Sequence, residues 1–287
     1  MNSLPSYLKL KYLIFALLLS YILMCQSCMT MRMSVNETKA YFDTSKVTFI
    51  SKTLTIGEHH AHYIQTGNPD SPTLFFVHGS PGSWDAYKRY LTDTILLKKY
   101  RMIAIDRPGF GYSDFGAAEN LEDQSAIMET VVAQTANGKP FVLIGHSLGG
   151  PLIVKMATDR PELFQHLIIL AGSVDPRMET AEVWRPIFMA KPLRYLVPGA
   201  FRPANDELWW LKDDLEQMKP ELKKVTSHIV IIHGTKDRLV PYGNVDFMER
   251  EFVKAKSVNI IAVENANHFI LWEHFKLIRD TLAHLRL

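Results

Sequence analysis

Hydrophobic positions fall into three regimes along the 287-residue chain. At the N-terminus Lys9 and Lys11 precede Tyr12 to Met24, a run in which Ser20 is the one clearly polar residue, and no acid precedes Glu37. The run is shorter than the roughly 20 apolar residues a spanning helix needs. A basic start, a short apolar core and small residues after it make the pattern of an export signal. From about Val47 short apolar runs alternate with helical stretches. Phe49–Ile56 and Ala61–Gln65, flanking Gly57-Glu58-His59-His60, predict an antiparallel hairpin. Thr73–Val77, Met102–Ile105, Phe141–Ile144, Leu167–Leu170, Ile229–Ile232 and Val258–Val263 are continuous apolar runs, the mark of parallel strands covered on both faces. Leu121–Thr135 and Leu148–Asp159 read as helices. Leu271, Phe275, Ile278, Leu282 and Leu285 recur at helical spacing, one buried stripe on a last helix. Strands alternating with helices predict a doubly wound, mostly parallel α/β sheet with ligand chemistry at the carboxyl ends of its strands. Ser173–Ser227 breaks the rhythm. It is too long for a plain connection and carries Trp184, Phe188, Tyr195, Phe201, Trp209 and Trp210, so residues 174–226 predict a helical cap inserted over the sheet.

Composition narrows the function classes. Hydrophobic residues make up 47% and charged residues 22%, which requires a packed core. The net charge is +2, and without Lys9 and Lys11 the basic and acidic residues balance at 30 each. No basic stripe exists to displace counterions, so nucleic acid is not an expected partner. The two cysteines, Cys25 and Cys28, exclude a disulfide scaffold and a multi-cysteine zinc site. Their C-x-x-C spacing would carry redox chemistry at a helix start after a strand, not at the end of an export signal. Cys28, with small Ser27 before it, resembles the lipidated cysteine of bacterial lipoproteins, although Cys25 and Gln26 depart from the usual motif. For residues 1–28 the expectation is therefore lipidation at Cys28, ordinary cleavage, or retention as an anchor. Each exports the remaining chain, leaving it membrane-anchored, periplasmic or secreted, with membrane association through the N-terminus only. Residues 29–46 read as a polar tether to a domain over 47–287.

The chemistry centres on Gly145-His146-Ser147-Leu148-Gly149-Gly150, directly after the strand Phe141–Ile144. A serine between a buried strand and a helix sits on a tight, strained turn that pushes its hydroxyl out at the sheet's edge. Such a serine needs a base, and the base an orienting acid. Asp237 follows the strand Ile229–Ile232, and His268 follows Val258–Val263. Nucleophile, acid and base thus run in the order Ser147, Asp237, His268, with Asp175 as a competing acid after Leu167–Leu170. Trp84 and His146 are candidate pocket residues. His59, His60 and His62 are read as solvent-exposed hairpin residues, because neighbours in a strand point to opposite faces and make a poor metal site; neither a metal nor an organic cofactor is expected.

Together with His78-Gly79-Ser80-Pro81-Gly82 and Asp106-Arg107-Pro108-Gly109-Phe110-Gly111-Tyr112-Ser113-Asp114, these motifs resemble the α/β-hydrolase fold superfamily over Val47 to Leu287, in an exported bacterial form. The resemblance implies an eight-stranded, mostly parallel sheet with helices on both faces. It also implies an oxyanion hole formed by the backbone N–H groups of Ser80 and Leu148. Asp106 and Arg107 are expected to hold their loop by hydrogen bonds. Serine at 147 separates the chain from the dehalogenases and epoxide hydrolases of this fold, whose nucleophile is aspartate. The expectation is a serine hydrolase acting on small-molecule carboxylic esters through an acyl-enzyme. Alternatives on the same fold are a proline iminopeptidase-like aminopeptidase, for which Glu182, Asp206, Glu207, Asp213 and Asp214 are candidate amine-binding acids, and a carbon–carbon bond hydrolase. A non-catalytic binding module would be expected to lack a triad member.

Overall fold

A computed structural model describes residues 6–180 and 182–287. Eight strands form one sheet: β1 (Phe49–Ile56), β2 (His59–Gly67), β3 (Thr73–Val77), β4 (Arg101–Ile105), β5 (Phe141–His146), β6 (Phe164–Leu170), β7 (His228–Gly234) and β8 (Ser257–Val263). Their spatial order is β1-β2-β4-β3-β5-β6-β7-β8. Only β2 runs against its neighbours; every pair from β4 to β8 is parallel. The apolar runs mark the strands because both faces are covered. In β3, Phe75 and Val77 enter one core and Leu74 and Phe76 the other, and all four are fully buried. Each such side chain contributes about 1.5–3 kcal/mol over its exposed state.

The chain leaves β3 for β4 on one side and passes back to β5 on the other. The topological switch therefore lies between β3 and β5, where an open α/β sheet presents its ligand crevice. Val77 pairs with Gly145 at that point, so the loops after the two strands emerge side by side.

The main helices are α1 (Ser6–Ser27), α2 (Val35–Ser45), α3 (Leu121–Thr135), α4 (Gly149–Asp159), α5 (Phe201–Met218), α6 (Gly243–Glu251) and α7 (Phe275–Ala283). The expected cap is present between β6 and β7: short helices at Arg185–Met189 and Leu193–Leu196 lead into α5. The last helix is broken, a turn at Ile270–Glu273 preceding α7, yet Leu271, Ile278 and Leu282 of its stripe are buried as expected.

The N-terminal region departs from expectation. Residues 29–46 are not a tether. Ser34 and Glu37 form a reciprocal capping box at the start of α2, and Phe42 is fully buried, stacking on Phe49 at 4.4 Å and Trp84 at 5.9 Å. An amphipathic helix buried on one face displaces the free chain that its polar composition suggested. Helix α1 exposes Leu10, Leu13, Ile14, Phe15 and Leu17 and meets the cap only near its C-terminal end. There the Gly199 N–H donates to the Cys25 carbonyl at 2.8 Å and Tyr21 Oη donates to the Leu196 carbonyl at 3.3 Å. Cys25 is buried and Cys28 exposed, both as free thiols. Among the described residues no helix is long and apolar enough to cross a membrane.

Candidate active site

Strand β5 ends at His146, and the next residue turns sharply. Ser147 has φ +54°, in the left-handed region that a residue with a side chain seldom occupies. The turn holds because the Ser147 N–H donates to the Leu170 carbonyl at 2.9 Å and its own carbonyl accepts from the Gly150 N–H at 2.8 Å. It also needs glycine at its flank, since a Cβ on Gly145 would lie 2.1 Å from the Gly149 carbonyl oxygen. Leu148 caps α4, placing its N–H at the positive end of a helix.

The loops after β7 and β8 bring Asp237 and His268 together. His268 Nδ1 lies 2.7 Å from Asp237 Oδ2. A carboxylate only accepts, so Nδ1 carries the proton and Nε2 is left as the acceptor. Asp237 Oδ1 accepts from the N–H groups of Leu239 (2.9 Å) and Val240 (2.8 Å). Burial pushes the Asp237 carboxyl up, but hydrogen bonds from His268 and the Val240 amide outweigh it and hold it below the ordinary carboxylate range. The competing acid is occupied elsewhere: Asp175 receives Arg177 Nε at 3.0 Å and Nη2 at 2.7 Å.

Ser147, Leu148, Ser80, His146 and His268 all line one cavity of about 1310 Å³ between sheet and cap. His146 also holds the His268 backbone, since its Nε2–H donates to the His268 carbonyl at 3.1 Å; burial drives its pKa down to about 3, so the ring stays neutral. Trp84 does not reach the cavity. It is fully buried in the core against Phe42, because the loop after Pro81 turns its ring away from the site while its backbone N–H donates to Asp106 Oδ1 at 2.7 Å. His62 is likewise buried, with Nδ1 2.8 Å from Asp106 Oδ2 and Nε2 2.9 Å from Ser51 Oγ. Asp106, which also accepts from the Tyr112 N–H, holds its loop as expected. His59 and His60 remain at the surface, near Asp114.

Two parts of the site were not foreseen. Met29 to Arg32 line the cavity, held because the Ala200 N–H donates to the Met29 carbonyl and Arg32 donates to the Gly111 carbonyl while its guanidinium stacks 4.4 Å from the Tyr112 ring. Glu179 also faces the cavity, accepting from Ser173 Oγ, and burial raises its pKa. The first depends on contacts between segments distant in sequence, which no local pattern announces.

A family model described as the α/β hydrolase fold matches residues 72–197, from the edge of β3 into the cap. The uncharacterized hydrolase YugF of Bacillus subtilis is 24% identical over 264 residues, covering 80% of this chain and 95% of its own. The pimeloyl-[acyl-carrier protein] methyl ester esterase of Nitrosomonas europaea is 25% identical over 236 residues, covering 69% and 89%. Among solved structures, an esterase from Exiguobacterium antarcticum superposes with a TM-score of 0.63 at 19% identity, covering 81% of this chain and 98% of its own. Sheet order, the strained turn after β5 and the family match over residues 72–197 agree: the chain has the α/β-hydrolase fold.

Proposed function

We propose that the protein is a serine hydrolase of small-molecule carboxylic esters, with Ser147 as nucleophile, His268 as base and Asp237 as orienting acid. The observation that carries this reading is the 2.7 Å His268–Asp237 pair opening onto the same cavity as the strained serine. Ser147 Oγ attacks the ester carbonyl carbon as His268 Nε2 takes its proton. The N–H groups of Ser80 and Leu148 stabilise the resulting oxyanion, each by about 3–4 kcal/mol as judged from removal of one such donor elsewhere. Collapse breaks the bond to the alcohol oxygen, which leaves with the proton from His268 Nε2. Water, deprotonated by the same nitrogen, then attacks the acyl-serine and releases the acid.

Met31, Phe201, Leu208, Leu211, Phe269 and Trp272 give the cavity an apolar share suited to an apolar acyl or alcohol group. The aminopeptidase alternative needs a carboxylate free for an α-amine. Four of its five candidate acids are engaged: Glu182 with Arg185, Asp206 with Arg194, Glu207 with Arg107, and Asp214 with the Leu121 N–H. Export of the domain rests on Lys9, Lys11 and the apolar run to Met24. A cut before Cys28 would leave the cavity-lining Met29–Arg32 in place. A panel of acyl esters, amides and aminoacyl anilides tests the bond specificity: Ser147-dependent turnover is expected for esters, and turnover confined to aminoacyl anilides would replace this reading with the peptidase one.

A further inference from the structure

Behind the oxyanion loop lies a buried ion pair that the reaction itself does not use. Arg107, just after β4, is fully buried, and Glu207, on cap helix α5, is nearly so. The guanidinium grips the carboxylate with both ends of its fork, Nη1 to Oε2 at 2.7 Å and Nη2 to Oε1 at 2.9 Å. Gln124 of α3 closes the network, its Oε1 accepting from Arg107 Nη1 at 2.7 Å and its Nε2 donating to Glu207 Oε2 at 3.1 Å. One further bond leaves this network toward the site: Arg107 Nη2 donates to the Gly79 carbonyl at 3.1 Å. The same carbonyl accepts from His78 Nδ1 at 2.7 Å.

That carbonyl belongs to the peptide unit whose other end is the Ser80 N–H. A peptide is planar, so fixing the direction of the oxygen fixes the direction of the N–H. Gly79 also passes directly over the nucleophile, where a Cβ on it would lie 2.9 Å from Ser147 Cβ. A small rotation of this peptide would therefore swing the donor away from the serine. We propose that the Arg107–Glu207 pair is a positioning device that aligns the Ser80 N–H through the Gly79 carbonyl and makes that alignment depend on a seated cap. The inference rests on the serine-hydrolase reading and adds to it a specific route from cap to oxyanion hole.

Arg107→Lys tests it, because a lysine keeps the charge opposite Glu207 but lacks the fork that reaches Gly79 as well. Losing a whole oxyanion donor costs about 10²–10³ in kcat, so a misaligned one should lower kcat about tenfold to a hundredfold. Affinity for a trifluoromethyl ketone, which forms a tetrahedral adduct on the serine, should fall by the same factor, with KM moving less than about twofold. If Arg107→Lys folds poorly, the double replacement Arg107→Met/Glu207→Met keeps an apolar filling of the same space and should show the same selective loss. Rates of Ser147 phosphonylation by a fluorophosphonate, which places an oxygen in the same hole, give a readout independent of the ester chosen. A wild type that labels at Ser147, paired with variants that keep kcat and ketone affinity within about twofold, overturns this inference and leaves the hydrolase reading standing. A wild type that never labels removes both.

Discussion

Ser147 is held at φ +54° by two backbone hydrogen bonds and by glycine on either side, so the strain is built into the site before any substrate arrives. A second Ser-His-Asp chain sharpens what this means. Ser51, His62 and Asp106 make bonds of 2.9 and 2.8 Å, close to those of a triad, yet Ser51 lies in regular β1 backbone outside the cavity. The strained turn that marks Ser147 is absent at Ser51. Asp237→Asn should lower kcat by about 10⁴, the size of that loss where a triad acid fixes the histidine tautomer, whereas Asp175→Asn should leave kcat within a few-fold. Steady-state kinetics on both variants checks it. Trp84→Ala should cost about 3–5 kcal/mol of stability as a buried aromatic and leave KM for small esters unchanged, as denaturant unfolding and kinetics would record. The positions of Ser147, Asp237 and His268 were legible because each follows an apolar run that can only be a strand. Trp84 and His62 were not, since the sequence shows that a side chain is near a loop but not which way the loop turns it.

Elements repeat the lesson at longer range. The strands and the cap were readable because burial on both faces leaves unbroken Val/Ile/Leu/Phe runs, and because 55 residues between two strands demand structure of their own. Helix α2 carried a readable signal in Ser34-x-x-Glu37, but its polar composition outweighed it; Phe42 is its fully buried anchor to the core, with Thr38 and Tyr41 packed beside it. Phe42→Ala should therefore destabilise the whole domain by about 3–5 kcal/mol; a tether residue in that place would cost nothing in a thermal melt. Between α3 and the end of α4 a pH response is built in. Burial, helped by Asp159, raises Glu129 to about 7. The folded chain then keeps a proton that the unfolded chain releases between about 4.5 and 7, so this group's contribution to stability is present at low pH and lost as pH rises through that window. Glu129→Gln should raise Tm relative to the wild type at pH 8 but not at pH 4.5, and an equal difference at both values would count against the burial.

Across the whole molecule the site is assembled from four sources: the loops after β3 and β5 at the topological switch, the β7 and β8 loops with Asp237 and His268, the cap above, and Met29–Arg32 at the mouth. The first two are consequences of the sheet order and were readable from it. The last is not, because its anchors, Gly111, Tyr112 and Ala200, lie some 80 to 170 residues away in the chain. Truncation should separate its role from that of the segment before it: removal of residues 1–27 should leave KM for small esters near the wild-type value, while removal through Met33 should raise it severalfold. The proposal that Ser147 is the nucleophile is tested most directly by intact-protein and peptide mass spectrometry after fluorophosphonate treatment, run beside p-nitrophenyl ester turnover. The expected result is one adduct on Ser147, with adduct and turnover both lost in Ser147→Ala and Ser51 unlabelled throughout. Turnover that survives in Ser147→Ala, or an adduct on any other serine accompanied by activity loss, would contradict it.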